Sequence, residues 1–116
     1  MRIEALNRSH DRSSFACESP ALTDYLRLRA GQDMRKKLAV CFVLVGPDSP
    51  EVLGYYTLST ASLGREEIPE TFASQIPAAY KVPLILLGRL ARHEKWSGTG
   101  MGGVLLVDAL RRCRDL

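Results

Sequence analysis

The C-terminal third of the sequence constrains the fold more than any other part. An apolar strand pattern, Leu84-Ile85-Leu86-Leu87-Gly88-Arg89-Leu90-Ala91, leads through a short link into Gly98-Thr99-Gly100-Met101-Gly102-Gly103. Beyond Gly103 there is no further Gly or Pro, and Leu106, Leu110 and Cys113 fall at helical spacing. Strand, glycine loop and helix therefore follow one another. Four glycines in six residues remove most Cβ atoms from the loop, which lets backbone N–H groups approach an anion closely. The helix adds its unpaired N-terminal N–H groups and the positive end of its dipole. A phosphate or diphosphate suits such a loop; a flexible turn or tight packing is the bland alternative.

Two glycine motifs fit poorly. Walker A needs Gly-Lys-Ser/Thr at its end, but Gly103 is followed by Val104. The dinucleotide fingerprint is formally met by Gly98, Gly100 and Gly103, yet it requires a second strand ending in an acidic residue about 20 residues on. Only thirteen residues follow Gly103.

The rest of the chain reads as one domain over residues 1–116, of α/β (α+β) class. Met1 to Leu6 is a first strand. A helical turn is expected around Asp11–Cys17, burying Phe15. Ser19 caps a helix that opens on Pro20, places Leu22, Tyr25, Leu26 and Arg29 on one face, and runs to about Arg35 despite Gly31. Ala39–Val45 and Val52–Ser62 form an antiparallel hairpin across Gly46-Pro47-Asp48-Ser49-Pro50. A short helix follows from Pro69 through Phe72. Leu84–Ala91, the most hydrophobic strand, should be central.

Cys17, Cys41 and Cys113 are odd in number and lack zinc spacing, so free thiols and no metal are expected. No apolar run approaches the roughly 18 residues of a membrane span, and no secretory signal opens the chain; the expectation is a cytoplasmic protein with no membrane attachment. Arg35, Lys36 and Lys37, with Arg27 and Arg29, make a basic cluster, and Arg89, Arg92, Lys95, Arg111, Arg112 and Arg114 surround and follow the glycine loop. Either group is a solvated face or a footprint for a polyanion such as coenzyme A or RNA.

Ser97-Gly98-Thr99-Gly100-Met101-Gly102 resembles the Gln/Arg-x-x-Gly-x-Gly/Ala motif of GNAT acetyltransferases, with Ser97 in place of the usual Gln or Arg. Four further blocks, Arg8–Cys17, Leu22–Leu26, Gly54–Ser59 and Leu87–Ala91, are similar to the GNAT toxins of toxin–antitoxin systems. The resemblance implies the GNAT acyl-CoA N-acyltransferase fold, a mixed, mostly antiparallel sheet flanked by helices. It implies acetyl-CoA as co-substrate, with the diphosphate on Ser97, Gly98, Thr99, Gly100, Met101, Gly102 and Gly103. The pantetheine arm would lie along the strand end Leu90, Ala91 and Arg92, where a backbone N–H can polarise the thioester carbonyl. The acceptor implied is the amino group of the amino acid on charged tRNA, whose acetylation blocks translation. The partners implied are a ribbon-helix-helix antitoxin and a second copy in a homodimer. Arg89, Tyr55 and Tyr56, with Arg35, Lys36 and Lys37, are the candidate substrate or partner residues. Of the two adjacent tyrosines, one should be core and the other line the acceptor cleft. His93 has a base's chemistry but is not used by the family.

The family continues beyond this helix with a strand, a helix carrying the tyrosine that protonates the departing thiolate, and a final strand pair. That tyrosine would fall beyond Leu116, so no catalytic residue is assigned within the chain. The expectations are a fold incomplete at its C-terminus, an exposed apolar edge on the last strand, and weak or absent transferase activity. The alternative function is a catalytically inactive remnant that binds antitoxin, RNA or a partner chain.

Overall fold

The computed structural model describes residues 1–75, 77, 79 and 81–115. Four antiparallel strands, β1 (Arg2–Ala5), β2 (Val40–Val45), β3 (Val52–Leu63) and β4 (Val82–Arg92), lie in the order β1-β2-β3-β4. Each pairs with its neighbour in sequence, which is the expected meander. Helices cover both faces of the sheet.

On one face lies a helical rod of three parts: α1 (Pro20–Asp24), a π-helical turn Tyr25–Arg29, and α2 (Ala30–Arg35). Its start is written in the sequence, since the Ser19 side chain accepts a hydrogen bond from the Leu22 N–H and Pro20 needs no donor there. The π turn was not legible. It carries one extra residue per turn, and the buried stripe passes through Tyr25, Leu26 and Ala30 while Arg29, expected on that stripe, is exposed. These residues pack with Phe15, Val43, Val45, Val52 and Tyr55 into the first core. Phe15 is fully buried as expected, but the segment around it is made of turns, not a helix; Asp11 accepts from both the N–H and hydroxyl of Ser13, and this local bonding competes with helix formation.

The other face is covered by α4 (Met101–Arg114), and between β3 and β4 lies the short α3 (Glu70–Ala73), close to its expected place after Pro69. α4 buries Met101, Leu105 and Ala109 against Leu44, Tyr56 and Leu58. Leu106 and Leu110, whose helical spacing helped to mark the helix, are 42% and 61% exposed. Apolar residues occupy two adjacent stripes of this helix, so spacing alone could not choose between them. Leu116 lies outside the described residues.

β4 is not central: among the described residues it pairs only with β3. Ile85, Leu86 and Leu87 are exposed despite their composition, which is the apolar edge expected for this strand without a further neighbour, a surface prone to pair with further chain.

The two cores hold the tyrosine pair in opposite layers. Tyr55 donates to the Leu22 carbonyl at 2.6 Å and stacks on Tyr25, while Tyr56 donates to Asp108 on α4 and stacks on Phe42. Both rings are completely buried, so neither lines an open cleft. Burial, then the Asp33 carboxylate, pushes the Tyr25 phenol up to about 12. Burial likewise raises Tyr55 and Tyr56, the latter helped by Asp108. Raised phenols favour the fold fully below the unfolded pKa near 10.0 and lose that contribution as the pH climbs through the folded values. Titration of phenolate absorbance is expected to show Tyr25, Tyr55 and Tyr56 silent at that pH in the native chain and ionising normally in denaturant. Normal titration in the native chain would contradict the packing.

Candidate acetyl-CoA site

The glycine loop lies at the end of β4, where Arg92 pairs with Gly54 and Ala91 with Tyr55. His93 fixes the exit from the strand. Its N–H reaches the Leu53 carbonyl at 2.7 Å, its Nε2 donates to the Ser14 carbonyl at 2.9 Å, and its Nδ1 accepts from the Lys95 N–H. Both ring nitrogens are thereby engaged and the ring is buried against Phe15, so His93 is structural rather than a base. A 3-10 turn, Glu94–Trp96, then delivers the chain to the loop, and Thr99 closes it with two hydrogen bonds to the Trp96 carbonyl.

From Glu94 to Gly100 every residue is exposed. Gly98 and Gly100 have φ of +77° and +81°, values a side chain would strain. A Cβ at Gly98, Gly100, Gly102 or Gly103 would meet nothing within 4 Å. These glycines are therefore not required by packing within the chain; what they keep clear is open space above the backbone. Among the described residues no acceptor meets the amides of Gly98, Gly100, Met101, Gly102 or Gly103, and no side chain caps α4. A run of free donors at a helix N-terminus is an anion site in geometry and in field. Met101 is the exception in the loop: its side chain is buried and anchors the turn to the second core.

The strand end contributes unevenly. Leu90 packs towards α4 and Ala91 is buried in the first core, so these two can offer a ligand only backbone. Arg92 offers a side chain. Its Nη2 donates to Ser97 Oγ at 3.0 Å, and its Nη1 to Glu18 at 3.0 and 3.3 Å. Earlier on the strand, a register shift at Thr57/Leu58 leaves Gly88 as an extra residue, a bulge of the kind found beside functional sites. The Arg89 guanidinium carbon lies over the Tyr25 ring, 3.7 Å from its centroid, with no carboxylate within ion-pair distance among the described residues.

The basic cluster is not brought to the loop. Arg35, Lys36 and Lys37 are exposed where α2 hands over to β2 at Val40, whereas the β3 residue opposite Arg92, Gly54, is level with Leu44 at the far end of β2. Of the three, Lys37 borders a groove of about 610 Å³ whose lining includes Met34, Leu38, Val40, Phe42, Leu58 and Arg112. Lys37 closes the helix in a left-handed conformation, φ 59°, with Lys37 and Leu38 N–H groups bonded to Met34 and Asp33 carbonyls. Lys37→Gly is expected to raise stability by about 1 kcal/mol by removing that strain, measurable by urea denaturation; a loss of stability would contradict the assignment. Among the described residues no group of three His, Cys, Asp or Glu side chains is placed to hold a metal, and no helix is long and apolar enough to cross a membrane.

No protein-family model matches the chain. Individual proteins do. The chain is 36% identical over 108 residues to a tRNA-acetylating toxin of Mycobacterium tuberculosis, an alignment that takes in 93% of this chain. Among solved structures it is similar to AtaT complexed with acetyl-methionyl-tRNAfMet, with a TM-score of 0.81 and 28% identity over 97% of this chain and 68% of that one. It is also similar to a tyrosine-to-phenylalanine mutant of AtaT bound to the C-terminus of the antitoxin AtaR and acetyl-CoA, with a TM-score of 0.74 and 28% identity over 95% of this chain and 62% of that one. The chain is similar to these toxins in sequence and in fold. It spans 63% of the length of the mycobacterial relative.

Within a GNAT toxin fold the features above fall into place. The meander, the rod on one face and α4 on the other are the part of the fold that carries the strand end and the glycine loop. The residues that sequence reasoning missed are Glu18, which pairs with Arg92, and Asp108, which joins Tyr56 to Arg112. Asp108 and Arg112 stand at i, i+4 on a helix, a spacing that could have flagged them. No sequence signal links Glu18 to a residue 74 positions away.

Proposed function

We propose that this chain binds acetyl-CoA on the Ser97–Gly103 loop and serves the transfer of its acetyl group to the amino group of the amino acid on charged tRNA. The carrying observation is the row of unpaired amides at the start of α4, over which no Cβ intrudes. Acetyl-CoA supplies the thioester. The chain supplies binding and orientation: loop amides on the diphosphate, and backbone of Leu90, Ala91 and Arg92 along the pantetheine arm. Holding the donor in place for direct attack by an amine is itself a large part of catalysis. Charged tRNA, a ribbon-helix-helix antitoxin and a second copy of the chain are the partners we infer, and the cytoplasm the location. The exposed basic cluster Arg35, Lys36 and Lys37, and Arg89 on β4, are the residues we assign to RNA or antitoxin contact.

A second reading is favoured by one observation. Ile85, Leu86 and Leu87 on β4, with Val104, Val107 and Leu110 on α4, present a large exposed apolar surface, the mark of an interaction site. In that reading the chain binds antitoxin, RNA or a partner chain without catalysing transfer. Two measurements decide. Calorimetry with acetyl-CoA tests the site, and NAD in its place should give no heat. Radiolabelled acetyl transfer to charged tRNA tests the reaction. Binding without transfer at high enzyme concentration establishes the second reading; no binding refutes the first at its root.

A further inference from the structure

Among the described residues, Arg92 is the one cation whose side chain is hydrogen-bonded to the glycine loop. It is held from two sides: Ser97 Oγ, the residue before Gly98, accepts from Nη2 at 3.0 Å, and Glu18, before the N-cap of α1, accepts from Nη1 at 3.0 Å. The side chain is 27% exposed, while that of Glu18 is 62% exposed. The guanidinium is thus semi-rigid and its carboxylate partner is free to leave. Lys95, the other cation at this point, makes no side-chain ion pair among the described residues and belongs to an exposed turn. Ser97 itself carries only a short hydroxyl, already occupied by Arg92. A diphosphate esterified at both ends, settling on the bare amides next to Ser97, brings about two negative charges to a place where a fork of donors is waiting.

We propose that Arg92 is the side-chain ligand of the diphosphate and that Glu18 is an internal counter-ion, which orients the guanidinium before the ligand arrives and yields it on binding. This rests on the glycine loop being the diphosphate site. Arg92 then does more than lend backbone to the strand end, and Glu18 sets affinity without touching the ligand. Loss of a charge-assisted hydrogen bond corresponds to about tenfold to a hundredfold in affinity. Removal of an exposed competing carboxylate corresponds to a gain of up to about fivefold.

The test is calorimetry on the full chain with coenzyme A and with dephospho-coenzyme A, which keeps the diphosphate but lacks the 3′-phosphate. Arg92→Met should weaken both ligands by the same factor, Arg92→Lys should recover part of the loss, and Glu18→Gln should tighten both. Arg92→Met binding coenzyme A as the parent does would overturn the proposal and leave the loop reading intact. So would a loss confined to coenzyme A, which would move Arg92 to the 3′-phosphate. If Arg92→Met fails to fold, Glu18→Gln decides alone: affinity unchanged or weakened overturns the counter-ion role. A parent chain that binds neither ligand refutes the loop reading, and this proposal with it.

Discussion

Gly102→Leu is expected to make the chain more stable and to cost it acetyl-CoA binding by on the order of a hundredfold or more. The two effects have separate causes. Gly102 lies in the first turn of α4 with helical backbone, and a Cβ there meets nothing within 4 Å. Replacing glycine with a good helix former in such a place returns about 0.8 kcal/mol, or a melting temperature higher by roughly 3–6 °C in a domain of this size. The same side chain stands over the amides of the helix N-terminus. An anion kept off two charge-assisted hydrogen bonds loses about 3 kcal/mol or more. Differential scanning calorimetry and ligand titration on one sample separate the two. A variant that is stabilised and still binds would show that the open space above the loop is not where the ligand sits.

Gly54→Val is expected to cost about 2–3 kcal/mol of stability, the penalty of overpacking a closed core. Gly54 stands on β3 opposite Arg92 and under α4; a Cβ there lies 2.9 Å from Leu105 Cδ1 and 3.2 Å from the Ala91 carbonyl oxygen. The first contact is with a terminal methyl of Leu105, which is fully buried and enclosed by the second core, and the second is with backbone, so neither can yield cheaply. α4 must lift from the sheet, and the loop at its start lifts with it. The check is a double-mutant cycle with Leu105→Ala, itself destabilising by about 2–5 kcal/mol. The pair should lose at least 1 kcal/mol less than the sum of the single changes. Strict additivity would mean that Gly54 does not set the distance between helix and sheet.

What the sequence disclosed and what it hid follow a physical division. Ser19-Pro20 announces a helix start through local chemistry, and Gly46 to Pro50 a turn through forbidden backbone, so both were placed correctly. The bare loop was legible because glycine is a statement about space as well as conformation. The π turn was not, since nothing in Tyr25–Arg29 differs from an ordinary helical run. Tyr55 and Tyr56 point to opposite faces, but alternation could not say that both faces are covered. In α4 two apolar stripes compete, and only the sheet beneath decides for Leu105 and Ala109. Arg92 was picked out for its backbone; its side-chain partners come from chain segments that meet only on folding.

The last helix is moored unequally. Near its C-terminal end Arg112 bonds Asp108 and the Ile3 carbonyl and lies over Phe42, 4.2 Å from the ring centroid. At its other end two consecutive glycines and a row of orphan donors leave the first turn held by little beyond Met101. Amide exchange should therefore slow progressively from Gly102 towards Arg112. A ligand that supplies the missing acceptors should erase that gradient from the open end, so the chain reports occupancy by stiffening a single turn while the remainder of the domain keeps still.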